Sequence, residues 1–141
     1  MIILDTNVVS ELMRGDAADR TVLRWVRGLA EQPKITAVTK AEVLVGIALL
    51  PRGRRAERML ALATTAFADF ECLPFDTDSA PWYTSVLADR RTAGRPITIE
   101  DAMIAAIARQ TGAGLATRNT LDFDGLGLRL VDPWTAGPPE A

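Results

Sequence analysis

Ile2-Ile3-Leu4-Asp5-Thr6-Asn7 opens the chain with three apolar residues, an acid and two small polar residues. That order describes a buried strand handing a carboxylate to the edge where open α/β sheets place their ligands. With a first strand at 2–5, four further segments read as strands, at 34–36, 70–73, 114–117 and 128–131. Helical patterns lie between them, so the expected fold is α/β, with a mostly parallel sheet of about five strands covered on both faces.

The first helix is expected from Val8 to about Met13, and the second over 20–30 with Val22, Val26 and Leu29 on one stripe. Thr39 opens a third that Pro51 closes, and a fourth over 54–68 carries Met59, Ala63 and Phe67 inward. Thr77 caps a fifth running to about Thr92, and Thr98 caps a sixth that ends at Gly112. The sixth is rich in alanine and isoleucine, which predicts a place against the centre of the sheet. One domain is expected over residues 1–135, followed by a Gly/Pro-rich tail at 136–141 that should be flexible.

Composition narrows the chemistry. The 141 residues include 18 Asp and Glu and no histidine, so any reaction must be run by carboxylates, through a metal. Cys72 is alone, which excludes an intramolecular disulfide or a thiolate cluster. In its strand-like setting it is expected to be buried as a small hydrophobe, and without histidine it lacks the usual base for a thiol nucleophile. The net charge of −2 argues against bulk electrostatic attraction to nucleic acid. Only Lys34 and Lys40 among the 16 basic residues are lysines; the arginine excess suits phosphate recognition, although a GC-rich genome explains it first. No stretch approaches the ~18–20 apolar residues of a membrane span, and no signal-peptide pattern opens the chain. A cytoplasmic protein is expected.

Each acid has a structural alternative. Asp5, Thr6 and Asn7 are three candidate helix caps in a row where one suffices, which leaves a carboxylate over. Thr39-Lys40-Ala41-Glu42 fits a capping box, yet the stripe Glu42, Val45, Gly46, Leu49 is apolar, as if turned to the core with a close approach at Gly46. Thr98-Ile99-Glu100-Asp101 repeats the pattern, and local sequence does not separate Glu100 from Asp101. Asn119, Asp122 and Asp124 follow a strand, where such residues ordinarily make turns. In a parallel sheet all four sites share one edge. Clustered carboxylates there would raise one another's pKa unless a cation intervened, and all-oxygen ligation selects Mg²⁺ or Mn²⁺.

These segments closely resemble the PIN-domain ribonucleases, specifically the VapC/FitB-like toxins of type II toxin–antitoxin systems. The matching stretches are 3–8, Ala41-Glu42-Val43 with Gly46, Ile99-Glu100-Asp101-Ala102-Met103-Ile104-Ala105-Ala106, Thr117-Arg118-Asn119 with Asp122-Phe123, and Val131-Asp132-Pro133-Trp134. The resemblance spans essentially the whole chain and implies a three-layer α/β/α sandwich. It implies Asp5, Glu42, Asp101 and Asp122 as the acidic set, with Asp5 and Asp101 as principal Mg²⁺ ligands. Glu42 would position or deprotonate the attacking water, Asp122 would support a second metal or the outer shell, and Thr6 and Asn119 would hydrogen-bond within the site. Many family members carry an acid where Asn119 stands, which implies a weaker second metal site here.

The activity so implied is Mg²⁺-dependent hydrolysis of RNA phosphodiesters, neutralised by a cognate VapB-like or FitA-like antitoxin; without a histidine to drive the 2′-hydroxyl route, the expected products carry a 5′-phosphate and a 3′-hydroxyl. A homodimer, a toxin–antitoxin hetero-oligomer and contact with operator DNA only through the antitoxin are further implications. The alternative is a catalytically weak PIN-fold partner acting mainly in an antitoxin–operator repressor complex. A phosphatase of the haloacid dehalogenase type also begins strand–Asp, but it needs a second Asp where Asn7 stands. Arg52, Arg54, Arg55 and Arg58 read first as a solvated helix start and second as an RNA-binding rim.

Overall fold

The computed structural model describes residues 1–139. Ile2–Leu4 forms β1, followed by β2 (Ile35–Thr36), β3 (Cys72–Leu73), β4 (Gly114–Ala116) and β5 (Leu130–Val131). All the pairings are parallel: β1 with β4, β4 with β5, and β2 with β3. A bridge from Ile3 to Lys34 joins the two ladders, with Leu4 N–H donating to Lys34 O at 2.8 Å and Lys34 N–H to Ile2 O at 2.9 Å. The spatial order is therefore β3-β2-β1-β4-β5, as expected for a parallel sheet of five strands. The chain runs outward from β1 on one side and from β4 on the other, so the β1/β4 crevice is a topological switch point.

The strands alternate their side chains between two cores. Ile3 and Leu115 pack with Val86, Ala102, Ile104–Ala108, Phe123 and Leu126, whereas Ile2, Leu4 and Ala116 pack with Val8, Val9, Val22, Trp25, Val43 and Ala63. Helices thus cover both faces, the layered arrangement expected. Cys72 is an exception to the expected burial: it lies in a strand, but β3 is the sheet edge and the thiol is exposed.

Six α-helices are present among the described residues: α1 (Thr6–Leu12), α2 (Arg20–Arg27), α3 (Ala37–Ala48), α4 (Arg54–Asp69), α5 (Ala80–Thr92) and α6 (Ile99–Thr111). α1 starts two residues before Val8 because Asp5 itself is the cap, accepting from Thr6 N–H. α2 buries Val22 and also Trp25, which the expected stripe omitted; Val26 and Leu29 are only half-buried. Asp76 rather than Thr77 caps the 3₁₀ turn Thr77–Ser79 that leads into α5. α6 matches expectation, with Thr98 as its cap and Gly112 in the left-handed region at φ 69°.

The largest correction concerns α3. Its cap is Thr36, whose hydroxyl accepts from Thr39 N–H at 3.1 Å, so the helix begins before Thr39 and Glu42 sits beyond its first turn. The capping box at Thr39 is therefore absent. The face also differs: Val38, Thr39, Val43 and Ile47 are buried, while Val45 and Leu49 are 56% and 81% exposed. A Cβ on Gly46 would meet nothing within 4 Å, so the close approach expected there does not occur. β2 feeds directly into α3, and its pairing sets the helix rotation that the local stripe misread.

Residues 136–139 of the expected tail run beside Trp25 and Gly28, and 140–141 lie outside the described residues.

Candidate active site

β1 and β4 end side by side, with Leu4 in register with Ala116, so the residues that follow meet across the crevice. Asp5 is 4% exposed and uses both carboxylate oxygens. Oδ1 accepts from Thr6 N–H at 2.8 Å and Oδ2 from the Thr117 hydroxyl at 2.7 Å. The Thr117 oxygen in turn accepts from Asn7 Nδ2 at 3.3 Å and from Asn119 N–H at 3.1 Å. One donor and two acceptor positions are thereby filled on a fully buried hydroxyl. Asn7 Oδ1 accepts from Arg118 N–H at 3.2 Å, which ties the loop after β4 to the start of α1. The Arg118 guanidinium lies 4.8 Å from the centre of the Trp134 ring, on the same loop's outer side.

Burial pushes the Asp5 carboxyl above its ordinary range; the bonds from Thr117 and Thr6 offset part of this, and the charge of Asp122 adds to it. Asp5 is thus both the cap of α1 and a carboxylate at the switch point. The expectation that surplus caps would leave this carboxylate over is corrected: Asp5 is the cap, and both of its oxygens are bonded.

Glu42 reaches the same edge from α3. Thr6 Oγ1 donates to Glu42 Oε1 at 2.7 Å and lies 3.1 Å from Thr39 Oγ1. Burial raises the Glu42 carboxyl, the Thr6 bond counters it, and the charges of Asp5 and Glu100 raise it further. The Thr6 hydroxyl thus links the start of α1 to α3.

Asp101 stands at the third position of α6, half-buried, while Glu100 is exposed. Its carboxyl is pushed up to about 6, first by burial and then by Asp5, with smaller contributions from Asp122 and Glu42; the Thr98 hydroxyl pulls the other way. Asp122 is exposed in the 3₁₀ turn Thr120–Phe123. A depression of 260 Å³ opens between Pro96, Ile97, Thr98, Asp101 and Asp122. Asn119 is exposed, and the bond it makes to the site comes from its backbone N–H rather than its amide. A wider groove of 530 Å³ runs alongside, with Ala41, Val45, Phe75 and Met103 as its apolar floor and Glu42 and Glu100 in its lining.

The four acids therefore share one edge and feel one another's charge, but they do not close into a cage. Among the described residues no three acids or thiols are close enough together to hold an ion by direct ligation alone. None of the ion pairs among these residues involves Asp5, Glu42, Asp101 or Asp122. An uncompensated all-oxygen set with open spacing fits a hard divalent cation that keeps much of its water shell, as Mg²⁺ does. It does not fit zinc, which takes closer nitrogen and sulfur ligands.

Thr117 and Asn7 lie in the stretches quoted from the sequence, but no role within the site is expected there for either. The signal was faint: a threonine after a second strand, and surplus capping residues after the first. The four arginines at 52, 54, 55 and 58 are exposed at the start of α4, and no ion pair holds them among the described residues.

Comparison with known proteins shows the family and the fold. The model of the PIN domain family matches residues 2–125. The chain is 38% identical to a VapC ribonuclease, Y4jK, of Sinorhizobium fredii, over 95% of this chain and 98% of that one. It is 36% identical to the toxin FitB of Neisseria gonorrhoeae, over 95% and 99% of the two chains. The structure of FitAB bound to a DNA fragment superposes with a TM-score of 0.84 at 35% identity, covering 97% of this chain and 98% of that one.

Proposed function

This chain belongs to the PIN-domain family, and from that membership and the geometry of its acids we propose that it is a divalent-metal-dependent endoribonuclease toxin. The observation that carries the reading is the convergence of Asp5, Glu42, Asp101 and Asp122 at the β1/β4 switch point, with no cationic side chain among the described residues paired to them. Asp5 and Asp101 would hold Mg²⁺ or Mn²⁺, and Asp122, beside Asn119, would support that ion or a second, weaker one. The cation supplies charge stabilisation for in-line attack on an RNA phosphodiester. Glu42, fixed by the Thr6 hydroxyl, orients the attacking water and takes its proton. Thr117 holds Asp5 in place, and Thr6 N–H holds its other oxygen.

The partner is an antitoxin of the VapB or FitA kind, in a cytoplasmic complex that reaches operator DNA through the antitoxin. Support comes from FitAB, which is solved bound to DNA, and from the apolar groove with Glu42 and Glu100 in its lining. That groove suits an apolar segment carrying a basic side chain, which would neutralise the acids it meets. No helix among the described residues is long and apolar enough to cross a membrane.

The test is cleavage of RNA by the purified full chain in Mg²⁺ or Mn²⁺ against EDTA. The expected products carry 5′-phosphates and 3′-hydroxyls, and Asp5→Asn and Asp101→Asn abolish them. A 2′,3′-cyclic phosphate, or full activity in both variants, would overturn the mechanism.

A further inference from the structure

α5 buries a charge behind the acids. Arg90 is 5% exposed, and none of the ion pairs among the described residues includes it. Its Nη1 donates to the carbonyl of Asp124 at 2.8 Å and, more weakly, to that of Leu121 at 3.5 Å. Its Nη2 donates to the carbonyl of Pro96 at 2.9 Å, and its Nε has no partner. A guanidinium taken out of water without a direct ion pair is costly, the Asp124 carboxylate being held by Arg95 and feeling Arg90 only as its last and smallest influence, and a packed apolar side chain often serves stability as well or better. Stability alone therefore does not account for an arginine here.

An apolar side chain cannot bind two separate segments at once. One of the segments gripped by Arg90, the irregular stretch 96–98, leads into α6 and Asp101; the other, the turn at 121–124, contains Asp122. The same two segments wall the 260 Å³ depression. Beside Arg90, exposed Arg95 holds the Asp124 carboxylate at 2.7 Å, so the second turn is gripped by its carbonyl from within and by its side chain from without. Phe123 and Leu126 are buried along this segment, which leaves Asp122 facing outward.

We propose that Arg90 is a positioning residue: by bridging the Pro96 and Asp124 carbonyls it sets the spacing of Asp101 and Asp122, and through it the affinity of the acidic edge for a divalent cation. The inference rests on the metal-site reading given above. Lysine in place of Arg90 keeps the charge but loses the planar fork that reaches both segments.

The experiment measures Mn²⁺ binding to the full chain by titration calorimetry, alongside amide hydrogen exchange of residues 96–98 and 121–124. Wild type, Arg90→Lys, Arg90→Met, Asp101→Asn and Val22→Ala are compared. Val22→Ala removes buried volume from the opposite core and serves as a control for lost stability. Arg90→Lys should weaken Mn²⁺ binding by about 10–100-fold, the usual effect of losing an outer-shell support. It should also release both segments together, while Val22→Ala does neither. Arg90→Met repeats the result if lysine disturbs the fold. Wild-type Mn²⁺ affinity in both Arg90 variants, or an equal loss in Val22→Ala, would overturn the proposal. If instead Asp101→Asn binds Mn²⁺ as wild type does, the metal-site reading fails. In that case joint release of the two segments still supports the bridge, and unchanged exchange overturns it.

Discussion

α3 and α6 bring their acids to the same edge in different ways. Asp101 lies in the first turn of α6, next to the cap that starts the helix, so its position follows from residues within four places of it. Glu42 lies beyond the first turn of α3, and what holds its carboxylate is the hydroxyl of Thr6, from α1, 36 residues away in sequence. The environments differ as well. Asp101 is crowded by the charges of Asp5, Asp122 and Glu42 and titrates near 6. Glu42 meets Asp5 and Glu100 as lesser influences, behind its burial and the Thr6 bond. The difference suggests a division of labour. A carboxylate left in conflict with its neighbours gains most from a cation, and one anchored by a single directed hydrogen bond is suited to handling a proton.

Isosteric amides put the largest strain on that contrast. Glu42→Gln should lower kcat by about 10²–10⁴-fold, the usual contribution of a general base, while Mn²⁺ affinity measured by calorimetry stays close to wild type. Asp101→Asn should instead weaken Mn²⁺ binding by at least about 100-fold, beyond the loss of an outer-shell support. If both variants lose metal affinity equally, the two acids act as one ligand set and the division of labour is wrong. A smaller effect is expected at Thr6→Val, which frees Glu42 without altering its charge. One hydrogen bond to a carboxylate is worth about tenfold or somewhat more, so kcat should fall by about that factor with Mn²⁺ affinity unchanged. An unchanged kcat would mean that Glu42 needs no anchor.

The same pair of helices explains which parts of the site were legible in the sequence. Everything that defines α6 lies inside it: Pro96 ahead, Thr98 as cap, an apolar body and Gly112 in the left-handed region at its end. The strand ending at Asp5 was legible for the same reason. At α3 two threonines three places apart can each cap, and the choice falls to Thr36 because β2 is pinned between β3 and the Lys34 bridge to β1. No window of local sequence contains that information. The buried face of α3, and the freedom of Glu42 from a capping role, were misread as a consequence. Thr117 and Arg90 were illegible for a related reason: Thr117 meets Asp5 across 112 positions, and Arg90 meets Asp124 across 34. The choice of Asp101 over Glu100 rests on family resemblance; in the fold Asp101 is half-buried and Glu100 is exposed.

The smallest effect expected is on stability, and its sign follows from the direction of the shifts. The Asp101 carboxyl moves from an ordinary 3.8 up to about 6 on folding, so the folded chain holds that proton more tightly than the unfolded one. Its stabilising contribution is complete below about 3.8 and is lost as pH rises through about 6; the raised carboxyls of Asp5 and Glu42 act in the same sense. Asp124, lowered by Arg95, acts oppositely, because its contribution is lost only as pH falls below the ordinary carboxylate range. Between pH 5 and 7.5 the crowded acids therefore dominate this part of the balance. In EDTA, scanning calorimetry should show the wild-type Tm falling more across that window than the Tm of Asp101→Asn. Millimolar Mg²⁺ should lift the wild type most at the upper end, where the carboxylates are ionised and uncompensated. Parallel pH curves for the two proteins in EDTA would remove the electrostatic conflict at α6, and with it the contrast with α3.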